Sequence, residues 1–241
     1  MDVIDAYWEQ RNLNLKTYEL IFNDADNIEL YDVWFDSVKS HADYIVSKVP
    51  VGHPQLCNDL LSNGFSFIEM ITVVSVNQLP TLSNIQQRIM KKISYTEMTD
   101  EDVEVLYSEI RKGLFKTDRI AMESGLGIEK SIRRYIGWLS DEKARGARFY
   151  RINFNDEYAG FFVLGTMKNN KMSSILAGIF ESYQKYAIGF FMNYLAYQEA
   201  FSQGAKAVKT SFSSNNRGAS SIHYSIACNL HEQYYVLSKM V

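Results

Sequence analysis

The stretch Ile175–Phe201, ILAGIFESYQKYAIGFFMNYLAYQEAF, constrains the fold of this chain most. It opens on an apolar run, Ile175 to Phe180, of strand length and flanked by polar residues. A polar turn follows, and an amphipathic helix begins near Gly189. The turn, Gln184-Lys185-Tyr186-Ala187-Ile188-Gly189, reads Q-x-x-A-x-G. Small residues at its fourth and sixth positions let a ligand come close to the backbone. A strand that feeds such a turn and then a helix aims several unpaired N–H groups at one point. The positive end of the helix dipole adds to them, so the unit is a ready anion site.

The rest of the chain supplies the material for a layered α/β domain around that unit. Of 241 residues, 46% are hydrophobic and 14% aromatic, and the net charge is −3. That balance argues against a nucleic-acid footprint. Cys57 and Cys228 stand far apart beside apolar residues, as buried thiols do, and offer no metal spacing. His41, His53 and His231 are scattered, so no metal is expected. The start, MDVIDAYWEQRN, lacks a basic segment followed by an apolar one, and no apolar run approaches the ~18 residues of a membrane span. The expectation is a soluble, cytoplasmic protein with no membrane partner.

Taken in order, residues 1–90 predict a smaller α/β unit. Lys16–Phe22 alternates like a half-buried strand, and Ile45–Val49 is a second short one. A helix from Pro54 to Asn63 ends at Gly64, and Phe65–Val76 makes a further strand. Residues 77–92, with NQLPTLSN and the basic residues Arg88, Lys91 and Lys92, mark a linker in which IQQRIMKK is a candidate short helical or extended piece. Residues 91–241 predict a mixed, mostly antiparallel sheet with helices on both faces. A strand at Ile93 is followed by a Thr99-capped helix, a polar loop Asp118–Gly127 and a helix Ile128–Lys143. Strands Ala147–Asn153 and Tyr158–Thr166 then lead to the opening unit. After Gly204 come a strand Lys206–Phe212, a helix from Asn216 and a closing strand Tyr234–Ser238.

That last helix carries a second motif, Asn216-Arg217-Gly218-Ala219-Ser220-Ser221-Ile222-His223, or N-x-x-A-x-x-x-H. Asn216 is a natural cap, and residues 216, 219 and 223 share one helical face.

With both motifs in this order, the chain resembles the GNAT superfamily of acyl-CoA-dependent N-acetyltransferases over roughly residues 93–241. The family's pyrophosphate loop is Q/R-x-x-G-x-G/A, which Gln184–Gly189 matches with Ala187 in place of the first glycine. The family's last helix carries N-x-x-A-x-x-x-Y and then Gly-Phe. Here His223 stands where tyrosine is usual, and Ala227-Cys228 replaces Gly-Phe. Gly113–Glu142 and residues 42–76 are similar to the dTDP-fucosamine acetyltransferase (WecD-like) branch, whose members acetylate a nucleotide-linked amino sugar. The run from Leu60 to Ile71 echoes the family's own closing helix and strand, so residues 1–90 read as a truncated GNAT-like half.

The resemblance implies direct acetyl transfer from acetyl-CoA to a primary amine in a ternary complex. Gln184, Lys185, Tyr186, Ala187, Ile188 and Gly189 would hold the pyrophosphate. The edge at Gly178, Ile179 and Phe180 would pair with pantetheine and polarise the thioester carbonyl. Asn216 and Ala219 would flank the pantetheine arm. His223 would protonate the leaving thiolate, with Tyr224 as its rival. Glu181 and Glu199 are base candidates by position only, and a water chain would serve instead. Arg119, Arg133 and Arg134 are the phosphate partners expected for a nucleotide. The remaining readings are a GNAT enzyme for another amine, such as a peptide N-terminus or polyamine, and an inactive acyl-CoA-binding module. A homodimer stays open.

Overall fold

The computed structural model describes residues 1–226 and 228–241, so Ala227 of the Ala227-Cys228 step lies outside the described residues. Its strands join in a single ten-stranded sheet. The N-terminal part runs β1 (Asp2–Asp5), α1 (Tyr7–Leu13), β2 (Thr17–Ile21), α2 (Ile28–Val38), β3 (Tyr44–Pro50), α3 (Pro54–Ser62) and β4 (Ser66–Val76). A short α4 (Asn84–Met90), held by a Ser83–Gln86 capping box, occupies the expected linker. Then follow β5 (Ile93–Glu97), α5 (Asp100–Arg111), α6 (Arg119–Met122), α7 (Gly127–Ala144), β6 (Arg148–Phe154), β7 (Glu157–Leu164) and β8 (Lys171–Ile179). A 3-10 turn at Glu181–Tyr186 leads to α8 (Gly189–Ser202), β9 (Ala207–Ser213), α9 (Arg217–Ser225) and β10 (Asn229–Met240). The element order expected from residue 93 onward is present; α6 is an addition inside the loop expected at 118–127. Two helices, α1 and α2, stand where no helix was expected.

The sheet order is β1-β2-β3-β10-β4-β9-β8-β7-β6-β5, so the sheet does not break at residue 90. Two runs of the chain repeat one topology. β1 pairs antiparallel with β2, β2 parallel with β3 across α2, and β4 follows α3. Likewise β7 pairs antiparallel with β8, β8 parallel with β9 across α8, and β10 follows α9. The final strands are exchanged: β4 lies against β9, and β10 lies against β3. Both faces of the sheet are covered. Phe161 and Val163 face the core under α5 and α7, whereas Phe162 and Leu164 face the core under α8. All four are fully buried, and each contributes about 1.5–3 kcal/mol on transfer from water.

A buried ion cluster ties the two parts together. Arg119, at the start of α6, donates from Nη2 to Glu19 of β2 at 2.9 Å and to Glu9 of α1 at 3.4 Å. Arg134 of α7 donates from Nε to Glu9 at 2.6 Å, and Lys48 of β3 pairs with Glu19 at 3.1 Å. Burial alone would raise the Glu19 carboxyl, but Arg119 and Lys48 outweigh it and hold the group at about 2. The folded value therefore lies below the unfolded value of about 4.3, so this contribution is complete above that pH and lost as the pH falls towards 2. Replacing Glu19 with Gln leaves Arg119 short of a counter-charge. We expect Glu19→Gln to cost about 3–5 kcal/mol in urea denaturation at pH 7, with the gap to wild type narrowing below pH ~4.

Candidate active site

The two parallel strands β8 and β9 do not stay together. They pair only where Lys171–Ser173 meet Ala207–Lys209. Beyond that point β8 carries an irregularity against β7: Leu176 opposes Val163 and Ser174 opposes Leu164, so Ile175 is the extra residue. A bulge bends and twists its strand, which here carries β8 away from its parallel neighbour. The edge of β8 from Ser174 onward thus has no strand partner on the β9 side, and its backbone groups are open to a ligand. The gap widens into a cavity of about 960 Å³.

The start of α8 forms one wall. No side chain caps this helix: Ile188 at its N-cap has φ −81° and ψ 0° and makes no capping bond. The first N–H groups of α8 have no acceptor within the helix, and Ile188, Gly189 and Phe190 line the cavity. Gly189 lets α8 approach α9 closely: a Cβ there would sit 2.9 Å from Cδ1 of Ile222, whose side-chain end would have to shift. Ala187 adopts a left-handed conformation, φ 52° and ψ 33°, closing the 3-10 turn. Gln184 reaches back to donate to the Ile179 carbonyl at 3.3 Å. Across the gap, the Asn216 side chain accepts the Ala219 N–H at 3.0 Å and caps α9.

The structure brings most of the expected residues to this one cavity: Gly178, Ile179, Gln184, Ala187, Ile188, Gly189, Asn216, Ala219 and His223 all line it. Lys185 and Tyr186 do not; both are exposed, the Lys185 ammonium lying over the Tyr186 ring. Phe180 is also outside, buried against Tyr158. The two acid candidates separate clearly. His223 is buried, whereas Tyr224, one helical step away, is 67% exposed and only abuts the edge of Phe212. His223 Nδ1 lies 2.8 Å from the Ala219 carbonyl, which can only accept, so Nδ1 carries the proton. Burial pushes the imidazole below its usual value, so it is neutral and Nε2 accepts from the Tyr197 hydroxyl at 3.2 Å.

The phosphate partners fare differently from one another. Arg119 and Arg134 reach the cavity, but both are engaged in the ion cluster, and Arg133 is exposed outside it. The positional base candidates are elsewhere as well: Glu181 pairs with Lys116 on the surface, and Glu199 accepts from Tyr95 and Tyr150. Sequence reasoning missed part of the cavity lining: Glu69 and Ile71 of β4, and Phe115, Tyr135 and Trp138. The signal was present, since Glu69 is a lone charge within the apolar run FSFIEMITVV. Among the described residues, no cluster of His, Cys, Asp or Glu is gathered to hold a metal ion. Among the described residues, no helix is long and apolar enough to cross a membrane.

Ala187 yields a test of the loop. The left-handed backbone costs a residue with a side chain about 1–2 kcal/mol, and glycine returns part of that as unfolded-chain entropy. Ala187→Gly should stabilise the protein by about 0.5–1 kcal/mol in thermal or urea unfolding, and binding of CoA should be equal or tighter.

No family model matches the sequence, and no curated protein matches it. Solved structures do match. A functionally unknown conserved protein from Staphylococcus epidermidis is similar with a TM-score of 0.67 at 10% identity, over 96% of this chain and 88% of that one. A GCN5-related N-acetyltransferase from Sphaerobacter thermophilus is similar with a TM-score of 0.66 at 11% identity, over 99% of this chain and 75% of that one. A GCN5-related N-acetyltransferase from Kribbella flavida gives 0.58 at 12%, over 98% and 83%. At these identities the likeness is one of architecture: the chain has the fold of the GCN5-related N-acetyltransferases.

Proposed function

We propose that the protein transfers acetyl from acetyl-CoA to a primary amine in a ternary complex. The observation that carries this reading is the opening between β8 and β9 with an uncapped helix start at its mouth. Unpaired strand-edge groups suit the amides of a pantetheine arm, and the N–H groups of Ile188 to Phe190 suit a pyrophosphate. A donor on the β8 edge would stabilise the oxyanion as the amine attacks the thioester carbonyl. When the tetrahedral intermediate collapses, the C–S bond breaks and the amine has a proton to lose. Of the two candidate acids we assign His223, because it lines the cavity. Neutral and protonated at Nδ1, it would exchange the Tyr197 hydrogen bond at Nε2 for the amine's proton and pass that proton to the CoA thiolate. The repeated topology supports reading residues 1–90 as a truncated half of the same fold.

For the acceptor, the resemblance of residues 42–76 and 113–142 favours the amino group of a nucleotide-linked sugar, with Arg134 as the phosphate partner at the cavity. A second reading, a smaller cationic amine, is favoured by one observation: the cations at that end are already paired with carboxylates, while Glu69 is not.

The test is acetyl transfer to a panel of nucleotide-linked amino sugars and simple primary amines. His223→Ala should lower kcat at least tenfold at saturating substrates, and Tyr224→Phe should stay within twofold. Equal activity of His223→Ala and wild type would remove the assignment, and no transfer to any amine would favour an inactive binding module.

A further inference from the structure

Glu69 is only 4% exposed, yet its carboxylate borders the large cavity, and no hydrogen bond or ion pair engages it among the described residues. Its oxygens are not among the buried polar atoms sealed off without a partner, so they open onto the cavity, and an unpartnered carboxylate there is free to take a cation. The neighbouring cations do not supply one. On the sheet, Lys48, Val236 and Glu69 are opposed in one row across β3, β10 and β4, which puts their side chains on the same face. The Lys48 ammonium is drawn the other way, to Glu19. Arg119 is held by Glu19 and Glu9, and Arg134 by Glu9. Asp118 is satisfied by the Ser131 hydroxyl and the Ala121 N–H. Three cations therefore face four carboxylates here, and Glu69 is the one left over.

The same cavity has an aromatic wall, of which Tyr135 is near enough to feel the Glu69 charge. Phe115 stacks on Tyr135 at 4.2 Å between ring centroids, and Trp138 tilts against Tyr135 at 6.1 Å. A lone carboxylate next to aromatic faces is the chemistry that selects an organic cation over a neutral or anionic group. We propose that Glu69, carried by the N-terminal part of the chain, is the counter-ion that seats the ammonium group of the acceptor, against the Phe115–Tyr135–Trp138 wall. The acceptor class is then a primary amine on an apolar or ring-shaped body that enters as its cation and gives one proton to water in the cavity before its nitrogen attacks, the second going to His223. The site would be incomplete without β4, which gives residues 1–90 a direct part in substrate selection. This inference rests on the acetyl-transfer reading for its biological meaning, but its test does not depend on catalysis.

The probe is phenethylammonium, compared with 2-phenylethanol, its neutral analogue of similar size. Binding of each is measured by calorimetry to the full chain and to Glu69→Gln, alongside CoA and the melting temperature. Wild type should bind the cation at least tenfold more tightly than the alcohol, and Glu69→Gln should abolish that preference while CoA binding stays within twofold. Equal binding of cation and alcohol by wild type overturns the proposal, as does a preference that survives in Glu69→Gln. Should the variant fail to fold, the wild-type comparison still decides. Loss of CoA binding in wild type, with the cation preference intact, would instead strike the acetyl-transfer reading.

Discussion

A parallel strand pair that parts after three residues is the feature on which the rest of the molecule depends. Backbone groups in a sheet interior are normally consumed by their neighbours, and leaving a row of them open requires a specific device. Here the device is the extra residue Ile175, which bends β8 just where its pairing with β9 ends. The short turn that follows must then return the chain within reach of the gap. It does so with Ala187 in a left-handed conformation and with Gly189 packed against Ile222. The helix start that results has no capping side chain, so its dipole and free N–H groups point at whatever enters the gap. The corresponding strands in the N-terminal part, β2 and β3, pair along five residues, Thr17–Ile21 with Tyr44–Lys48, and open no such gap. The difference between the two halves is therefore one of strand separation rather than topology.

The exchange of β4 and β10 makes the halves mutually dependent. Each completes the sheet of the other, and the cluster of Glu9, Glu19, Lys48, Arg119 and Arg134 locks α6 and α7 of the C-terminal half onto α1, β2 and β3 of the N-terminal half. Such a cluster is costly to desolvate, and removing a single member is costlier than replacing all of it with apolar groups. Its placement at the end of the cavity means that the same charges that join the halves also set the potential an acceptor would meet.

Several parts of this arrangement were legible in the residues. The run Ile175–Gly189 carries its own strand, turn and helix start, because small residues and apolar period are local properties. The spacing of Asn216, Ala219 and His223 correctly places all three on one helical face, and the ~100° step to the next residue turns Tyr224 outwards to solvent. Other parts were not local. Whether β10 closes on β9 or on β3 depends on pairings between residues nearly 200 positions apart, which no short window encodes. Arg119 read as a free phosphate partner, yet Glu9 and Glu19, about a hundred residues upstream, claim it. The helix α1 was missed because seven residues without a capping side chain give little signal, and α2 despite its Asn27 cap.

The central claim is that the opening between β8 and β9 holds CoA with its pyrophosphate at the start of α8. Backbone hydrogen exchange with and without saturating CoA tests it directly. The account predicts slowed exchange concentrated at residues 174–179 and 187–191, with little change along β2 and β3. Protection elsewhere, or none at the start of α8, would contradict it.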